Sequence, residues 1–285
     1  MQIINKEIRI LIVGLGLIGG SYAKALKKKG FYVTAINNDP SAIDYALKEK
    51  IIDEGYSYVN EDAVKSCTIA IFALYPKVFT QWIKEYGHLF SEGTLITDVT
   101  GVKECIVDEI QSLLKPGVEF IAAHPMAGKE VYGVENSDDK IFEGANYIVV
   151  PTEKNTPEAI EICKDLGLVM GFNKVSVLSP KEHDEMIGFV SQLTHCIAVG
   201  LMTCSDNEHL VDYTGDSFRD LTRIARINEN MWSELFMLNK DALLEQFERF
   251  IDECNTLKSM ISNEDTEGLK EKMRLSTKRR ALFDK

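Results

Sequence analysis

Residues 8–30 read IRILIVGLGLIGGSYAKALKKKG, and this stretch decides the fold of the first half of the chain. A short apolar run, typical of a strand buried on both faces, leads into Gly14, Gly16 and Gly19, and a helical pattern follows at once. In a G-x-G-x-x-G turn the first glycine permits the tight turn, the second leaves room for a pyrophosphate, and the third lets the helix pack against the strand. The stretch therefore predicts a βαβ unit that binds NAD or NADP.

Short apolar runs and helical patterns alternate through the first 179 residues, and long helical patterns follow to the end. Alternation at this spacing predicts an α/β fold with a Rossmann-type, doubly wound parallel sheet. After Ser179-Pro180 no strand-like alternation remains. We predict a dinucleotide-binding domain over 1–179 and an all-α C-terminal domain over 180–285 that binds substrate and dimerises. The predicted strands are 8–13, 32–36, 68–72, 94–97, 120–123, 146–150 and 174–178.

Apolar residues recur at helical spacing between residues 228 and 262. This pattern fits packing within one subunit and equally fits a core shared by two subunits. The amount of apolar surface in a small domain favours a homodimer.

The bulk composition restricts the partners. Lys and Arg number 32 against 44 Asp and Glu, a net charge of −12, which disfavours nucleic-acid binding. The six cysteines form no C-x-x-C pair, so we expect neither a metal site nor a disulfide framework. The N-terminus lacks the pattern of a signal peptide, and no uninterrupted apolar run approaches the roughly 18 residues of a membrane span. We expect a cytoplasmic protein without membrane contact.

The choice between NAD and NADP depends on the end of the second predicted strand. Leu17 and Ile18, at the start of the first helix, would offer backbone N–H groups to the phosphates. About 20 residues further on, NAD-binding folds place an acid on the ribose 2′-hydroxyl. Asn37 occupies that position here, with Asp39 close by. An amide does not repel a 2′-phosphate, so NADP stays open, but no arginine follows to hold one, and the charge favours NAD.

One histidine follows a predicted strand where ligands bind in open α/β sheets. His124 comes directly after the strand at 120–123, in His-Pro-Met-Ala-Gly. Oxidation of an alcohol needs a group that takes the hydroxyl proton as hydride leaves, and an imidazole has a suitable pKa. We expect His124 to be that catalytic base.

The helical domain carries two further histidines, His183 and His195. A regular helix places them about 18 Å and about 120° apart, too far apart to share one small ligand. Ser191 and Gln192 precede His195 by four and three residues, so these three side chains form one polar patch on an otherwise apolar helix. Such a patch is either a satisfied internal network or the floor of a site, and we favour the site.

Arginines at 219, 223 and 226 fall at i, i+4 and i+7. On one helix this spacing puts them on a single face. Arginine suits bidentate carboxylate binding, so we expect a small-molecule dicarboxylate substrate rather than a solvated charged stripe.

Together these motifs resemble the prephenate and arogenate dehydrogenases of tyrosine biosynthesis. The resemblance implies that His124 is the catalytic base, that Arg223 binds a substrate carboxylate, that His195 lies near the substrate, and that Glu130 lies at the mouth of the site. The matching segments, in the order of the family, are 14–21, 97–103, 124–130, 179–184, 192–195, 218–225 and 231–232.

One position departs from the family pattern. Where the family usually has a serine bonded to the catalytic histidine and the substrate hydroxyl, this chain has Gly101, preceded by Thr100. We expect either the Thr100 hydroxyl or a water beside Gly101 to take that role.

The resemblance implies oxidative decarboxylation of prephenate with hydride transfer to NAD(P), in a homodimer built through the helical domain. Arogenate remains an alternative substrate. A β-hydroxyacid dehydrogenase would share the order of domains, but that class does not carry His-Pro-x-Ala-Gly. A redox-sensing NAD-binding protein would need neither the proton acceptor nor the arginines.

Overall fold

The first domain is built on a six-stranded parallel sheet in a computed structural model that describes residues 4 and 6–284. The strand order is β3-β2-β1-β4-β5-β6, and every neighbouring pair is parallel. This is the doubly wound order of dinucleotide-binding sheets, and the predicted Rossmann-type α/β fold is confirmed. The strands are β1 (Arg9–Val13), β2 (Tyr32–Ile36), β3 (Glu54–Tyr56), β4 (Ile69–Phe72), β5 (Leu95–Asp98) and β6 (Glu119–Phe120).

Helices cover both faces of this sheet, so alternate strand residues enter two different cores. Ile10 and Ile12 of β1 lie in one core with Leu26, whereas Leu11 and Val13 lie in the other. The helices of this domain are α1 (Leu17–Lys28), α2 (Pro40–Lys48), α3 (Glu61–Ser66), α4 (Pro76–Tyr86), α5 (Glu104–Leu113) and α6 (Pro157–Met170).

The strand predicted at 120–123 is in fact divided between two sheets. β6 ends at Phe120, and β7 (Ala122–Pro125) begins a three-stranded sheet in the order β7-β8-β9, with β8 (Asn146–Val150) antiparallel to β7 and β9 (Lys174–Val177) parallel to β8. The division occurs because the backbone N–H of Ala123 donates to the Asp98 side chain, at 3.1 Å, and not to a strand carbonyl. Residue 124 is thereby carried past the end of β5.

The second half contains helices only among the described residues, as predicted. Between the first two of them, residues 188–193 form a π-helical turn. The helices are α7 (Pro180–Ile187), α8 (Thr194–Thr203), α9 (Leu210–Tyr213), α10 (Asp216–Thr222), α11 (Glu229–Leu238), α12 (Lys240–Ser262) and α13 (Thr266–Arg280).

The continuous stretch Pro180–Thr203 has the length and mean hydropathy, 1.5, of a membrane span. Polar residues interrupt this stretch, so the expectation of no membrane span, based on uninterrupted apolar runs, did not take it into account. It packs against α12, since a Cβ added at Gly188 would lie 3.5 Å from the Ala242 backbone. Within one chain, 28% of this apolar stretch is buried.

The apolar pattern of α11 and α12 is only partly buried within one chain. Leu235 and Leu243 are buried, whereas Ile251 and Ile261 are 50% and 65% exposed. Packing within the subunit therefore accounts for the apolar residues up to Leu243. The exposed apolar residues further along α12 are free to pack against another surface.

Candidate active site

The glycine turn has the geometry that a dinucleotide requires. Gly14 has φ +99°, a conformation that favours glycine, and a Cβ at Gly19 would lie 1.9 Å from the Gly14 carbonyl oxygen. Gly16 is exposed, with no atom within 4 Å of an added Cβ, and α1 begins at Leu17. The open position of Gly16 and the helix N-terminus at Leu17 and Ile18 leave room and N–H donors for phosphates, so the residues fit NAD.

Of the two candidates for the ribose contact, Asn37 is engaged within the protein and Asp39 is exposed. Asn37 Oδ1 accepts from the Leu15 backbone N–H at 2.9 Å, so it supports the glycine turn. Asp39 is exposed and caps α2 by accepting from Ser41 N at 2.9 Å. Hydrogen bonds from Ser41 lower the pKa of Asp39. The acid at the end of β2 is therefore a carboxylate at position 39, which opposes a 2′-phosphate.

A fully buried ion pair fixes the strand that carries His124. Lys103 Nζ donates to Asp98 Oδ2 at 2.7 Å and to the Ala123 carbonyl at 2.6 Å, and both charged side chains are 0% exposed. Asp98 Oδ1 also accepts from Ala123 N. Burial lowers the pKa of Lys103, and the Asp98 charge opposes that shift. Sequence reasoning gave these two residues no role, although both lie in the matching segment 97–103.

His124 lies on β7, half-buried, at one end of a hydrogen-bonded chain. Its Nδ1 is 2.9 Å from His183 Nε2, and His183 Nδ1 is 2.6 Å from Asp184 Oδ1. Burial, the neighbouring His183 and the charge of Lys103 hold the pKa of His124 well below its usual range. Burial likewise lowers the pKa of His183 to about 3. Both rings are therefore neutral near pH 7, and His124 can accept a proton.

Asp184 joins this chain to the N-terminus of α5. Its carboxylate accepts from Lys103 N at 2.9 Å and from Glu104 N at 2.8 Å. Burial raises the pKa of Asp184 to about 6, against the opposing effect of these backbone N–H groups. Asp184 is thus ionised at neutral pH.

Thr100 and Gly101 occupy different surroundings. The Thr100 hydroxyl is buried, donates to Asp98, and accepts from Lys103 Nζ at 3.1 Å. This geometry argues against Thr100 as the partner of His124, because its single proton has two acceptors already, Asp98 and, at 3.0 Å, the Val102 carbonyl. A Cβ added at Gly101 would lie 3.9 Å from His124 Cε1. Gly101 borders the imidazole, and a water in that position stays a prediction.

A second group of side chains lies between the two domains. Arg223 donates to Glu130 Oε1 at 2.6 Å across 93 residues of sequence, and its side chain is 65% exposed. His195 stacks on Trp232 with ring centroids 3.7 Å apart, and its Nδ1 is 2.8 Å from the Ser191 carbonyl. Burial lowers the pKa of His195. The charge of Glu130 opposes this shift, and the charge of Arg223 adds to it. These residues form one cluster, which we call the mouth cluster: Glu130, His195, Arg223 and Trp232.

The predicted single arginine face is wrong. α10 ends at Thr222, and residues 223–225 form a 3-10 turn, so the i, i+4, i+7 register is lost. Arg219 instead donates to the Thr214 carbonyl at 2.9 Å. Of the three arginines, Arg223 is the one that joins the mouth cluster.

The predicted angle between His183 and His195 also fails, because a π-helical turn lies between them. One extra residue in the turn at 188–193 reduces the expected rotation from about 120° to about 20°. Of the two alternatives for the polar patch, Gln192 follows the internal network. Gln192 is buried, donates to the Leu235 carbonyl and accepts from Asn239.

No three His, Cys, Asp or Glu side chains meet as a metal site requires within residues 4 and 6–284. The chemistry available to the site consists of a neutral imidazole, a dinucleotide-binding turn and a guanidinium at the mouth.

The comparisons with known proteins agree with this arrangement. Residues 22–185 match the family model for the prephenate dehydrogenase nucleotide-binding domain, and residues 179–275 match the model for the dimerization domain. The prephenate dehydrogenase of Bacillus subtilis is 34% identical over 270 residues, covering 91% of this chain and 72% of that protein. That of Lactococcus lactis is 33% identical, covering 92% and 73%.

A solved structure covers nearly the whole fold. Prephenate dehydrogenase from A. aeolicus, in complex with hydroxyphenyl propionate and NAD+, superposes with a TM-score of 0.87 and 31% identity, over 96% of this chain and 97% of that chain. The chain described here belongs to the prephenate dehydrogenase family.

Proposed function

We propose that the protein is an NAD-dependent prephenate dehydrogenase of tyrosine biosynthesis. It converts prephenate and NAD+ to 4-hydroxyphenylpyruvate, CO2 and NADH. Hydride leaves the ring carbon that bears the hydroxyl, and the hydroxyl proton passes to His124. Loss of CO2 then makes the ring aromatic as a phenolate, which takes that proton back from His124. The observation that carries this proposal is the position of His124, held on β7 beside Gly101 with its Nδ1 2.9 Å from His183 Nε2.

His124 supplies the base. Its Nδ1 is engaged by His183 at 2.9 Å, so Nε2 is the nitrogen available to the substrate hydroxyl. General-base assistance of this kind contributes about 10²–10⁴-fold to rate. Leu235, whose Cδ atoms lie 3.5 Å from an added Cβ at Gly101, provides an apolar wall that limits water beside the reacting ring.

The mouth cluster binds the carboxylates of the substrate. The ion pair with Glu130 uses one N–H of Arg223, and a guanidinium has five such donors. We assign Arg223 to a substrate carboxylate, Glu130 to orienting that guanidinium, and His195 on Trp232 to the edge of the ring-binding space. The hydroxyphenyl propionate held by the A. aeolicus relative is a phenol with a carboxylate side chain, which resembles the product of this reaction.

The cofactor is assigned to Gly14, Gly16 and Gly19 with the N–H groups at the start of α1. When bound, NAD supplies the acceptor for the hydride. Asn37 holds the glycine turn through Leu15, and the Asp39 carboxylate would bind the ribose 2′-hydroxyl and disfavour NADP.

We propose that two copies assemble through the helical domain, because the apolar surface of α12 beyond Leu243 is not covered within one chain. The domain boundary lies at 179/180, where Ser179 and Glu182 form a capping box that starts α7. The protein is soluble. We assign it to the cytoplasm because its described cysteines are all unpaired thiols.

The test is an initial-rate assay at 340 nm with NAD or NADP against prephenate, arogenate and 3-hydroxyisobutyrate. We expect NADH formation with prephenate and release of one CO2 per turnover. Activity with arogenate alone would change the substrate and keep the chemistry. Activity with 3-hydroxyisobutyrate alone, or none with any substrate, would overturn the proposal.

A further inference from the structure

The chain of contacts behind His124 continues through two residues that do not reach the reacting atoms. His183 is fully buried, with Nε2 towards His124 and Nδ1 towards Asp184. Asp184 is 2% exposed and is held by the first N–H groups of the ten-residue helix α5. The positive end of the helix dipole and these N–H donors favour the carboxylate form of Asp184.

The contacts determine which nitrogen carries each proton. A carboxylate only accepts hydrogen bonds, so His183 must donate from Nδ1. In a neutral ring the other nitrogen then accepts, so His183 Nε2 accepts from Nδ1–H of His124. The Nε2 of His124 is left with a free lone pair, which is the form that a base needs.

We propose that His183 and Asp184 are positioning residues that hold His124 in its Nδ1-protonated tautomer and stabilise the imidazolium formed when it takes the substrate proton. This inference deepens the proposed function and rests on it. When His124 gains a proton at Nε2, the positive charge lies one ring away from the Asp184 carboxylate. Lys103 approaches the same region, but its charge is already paired with Asp98 at 2.7 Å.

A purely structural role is the competing explanation, since Asp184 also ties α7 to α5. The two explanations differ for Asp184→Asn. With its oxygen in the Oδ2 position, the asparagine can still accept from Glu104 N at 2.8 Å and from Lys103 N at 3.2 Å, while its amide nitrogen, in the Oδ1 position, donates to His183 Nδ1. That donation reverses the tautomer of His183 and then of His124, and places a proton on the nitrogen that should accept one.

The experiment measures turnover and tautomer separately in full-length enzyme saturated with NAD. For Asp184→Asn we expect kcat for prephenate to fall on the order of 10³-fold, with KM within about threefold. Imidazole ¹⁵N chemical shifts, recorded without substrate and assigned through His124→Asn, should move from the Nδ1-protonated to the Nε2-protonated pattern at His124. His183→Leu should lower kcat similarly, and His183→Gln, whose amide oxygen can accept from His124, should recover at least tenfold of that loss.

The matched control is Asp212→Asn, which makes the same change in the exposed His209–Asp212 pair and should leave kcat unchanged. A folded His183→Leu enzyme with kcat within tenfold of the parent would overturn the inference, as would an unchanged ¹⁵N pattern in Asp184→Asn. If the parent enzyme does not turn over prephenate, the proposed function fails, while the ¹⁵N measurement still decides the tautomer.

Discussion

Replacing Lys103 by methionine should expose how strongly the site depends on one buried ion pair. Lys103 and Asp98 are both fully buried, 2.7 Å apart. The same ammonium donates to the Ala123 carbonyl, immediately before His124. Methionine keeps much of the volume and removes the charge, so Asp98 loses its counter-charge in a dry environment.

The size of the effect follows from this geometry. Two unit charges 2.7 Å apart attract by about 6 kcal/mol at an effective dielectric constant of about 20. Desolvation offsets part of this, and breaking one side of a buried pair costs about 3–5 kcal/mol. We expect the free energy of unfolding to fall by that amount, the Tm to fall on the order of 10 °C, and kcat to fall at least tenfold because β7 shifts under His124.

The assay combines urea denaturation with prephenate turnover at a temperature where the variant is folded. The control is Lys84→Met, which breaks the half-exposed Lys84–Glu109 pair and should cost no more than about 1 kcal/mol. The double variant Asp98→Asn/Lys103→Met should be more stable than Lys103→Met alone. A cost below 1 kcal/mol for Lys103→Met, or equal costs for the two lysines, would refute the reasoning.

Three further predictions concern the cofactor, the position beside the base, and pH. Replacing Asp39 by serine removes the charge that opposes a 2′-phosphate and should raise kcat/KM with NADP about tenfold; an unchanged NADP:NAD ratio would count against Asp39 as the discriminating group. Thr100→Val should lower stability by about 1–3 kcal/mol with kcat within threefold, whereas Gly101→Ser should place a hydroxyl beside His124 and keep or raise kcat; the opposite order would restore Thr100 as the partner. Because burial raises the pKa of Asp184 to about 6, its carboxylate is lost below that pH, and kcat should fall about tenfold per pH unit there; a flat profile down to pH 5 would contradict this.

The sequence was most informative at positions where the local geometry admits only one type of residue. Gly14, Gly16 and Gly19 predicted a tight glycine turn, and the positive φ of Gly14 with the close packing at Gly19 confirms its geometry. The short edge strand Glu54–Tyr56 was missed because three residues with a central glycine carry no hydrophobic alternation. A local hydrophobic pattern indicates a strand only when the strand is long enough for the alternation to repeat.

The site was harder to predict because its geometry depends on irregular backbone. A π-helical turn changes the face on which His195 lies without altering the spacing of apolar residues. A 3-10 turn at Arg223 breaks the arginine register in the same way. The role of Lys103 could be found only from the three-dimensional contact with Ala123, since nothing in the local pattern marks a lysine as buried.

The most direct test of the account is the single-turnover rate of His124→Asn with saturating NAD and prephenate. If His124 is the base, hydride transfer should slow by about 10²–10⁴-fold, while the Kd values for NAD and prephenate stay within threefold of the parent. A variant that binds both ligands and transfers hydride at the parental rate would contradict the assignment of His124.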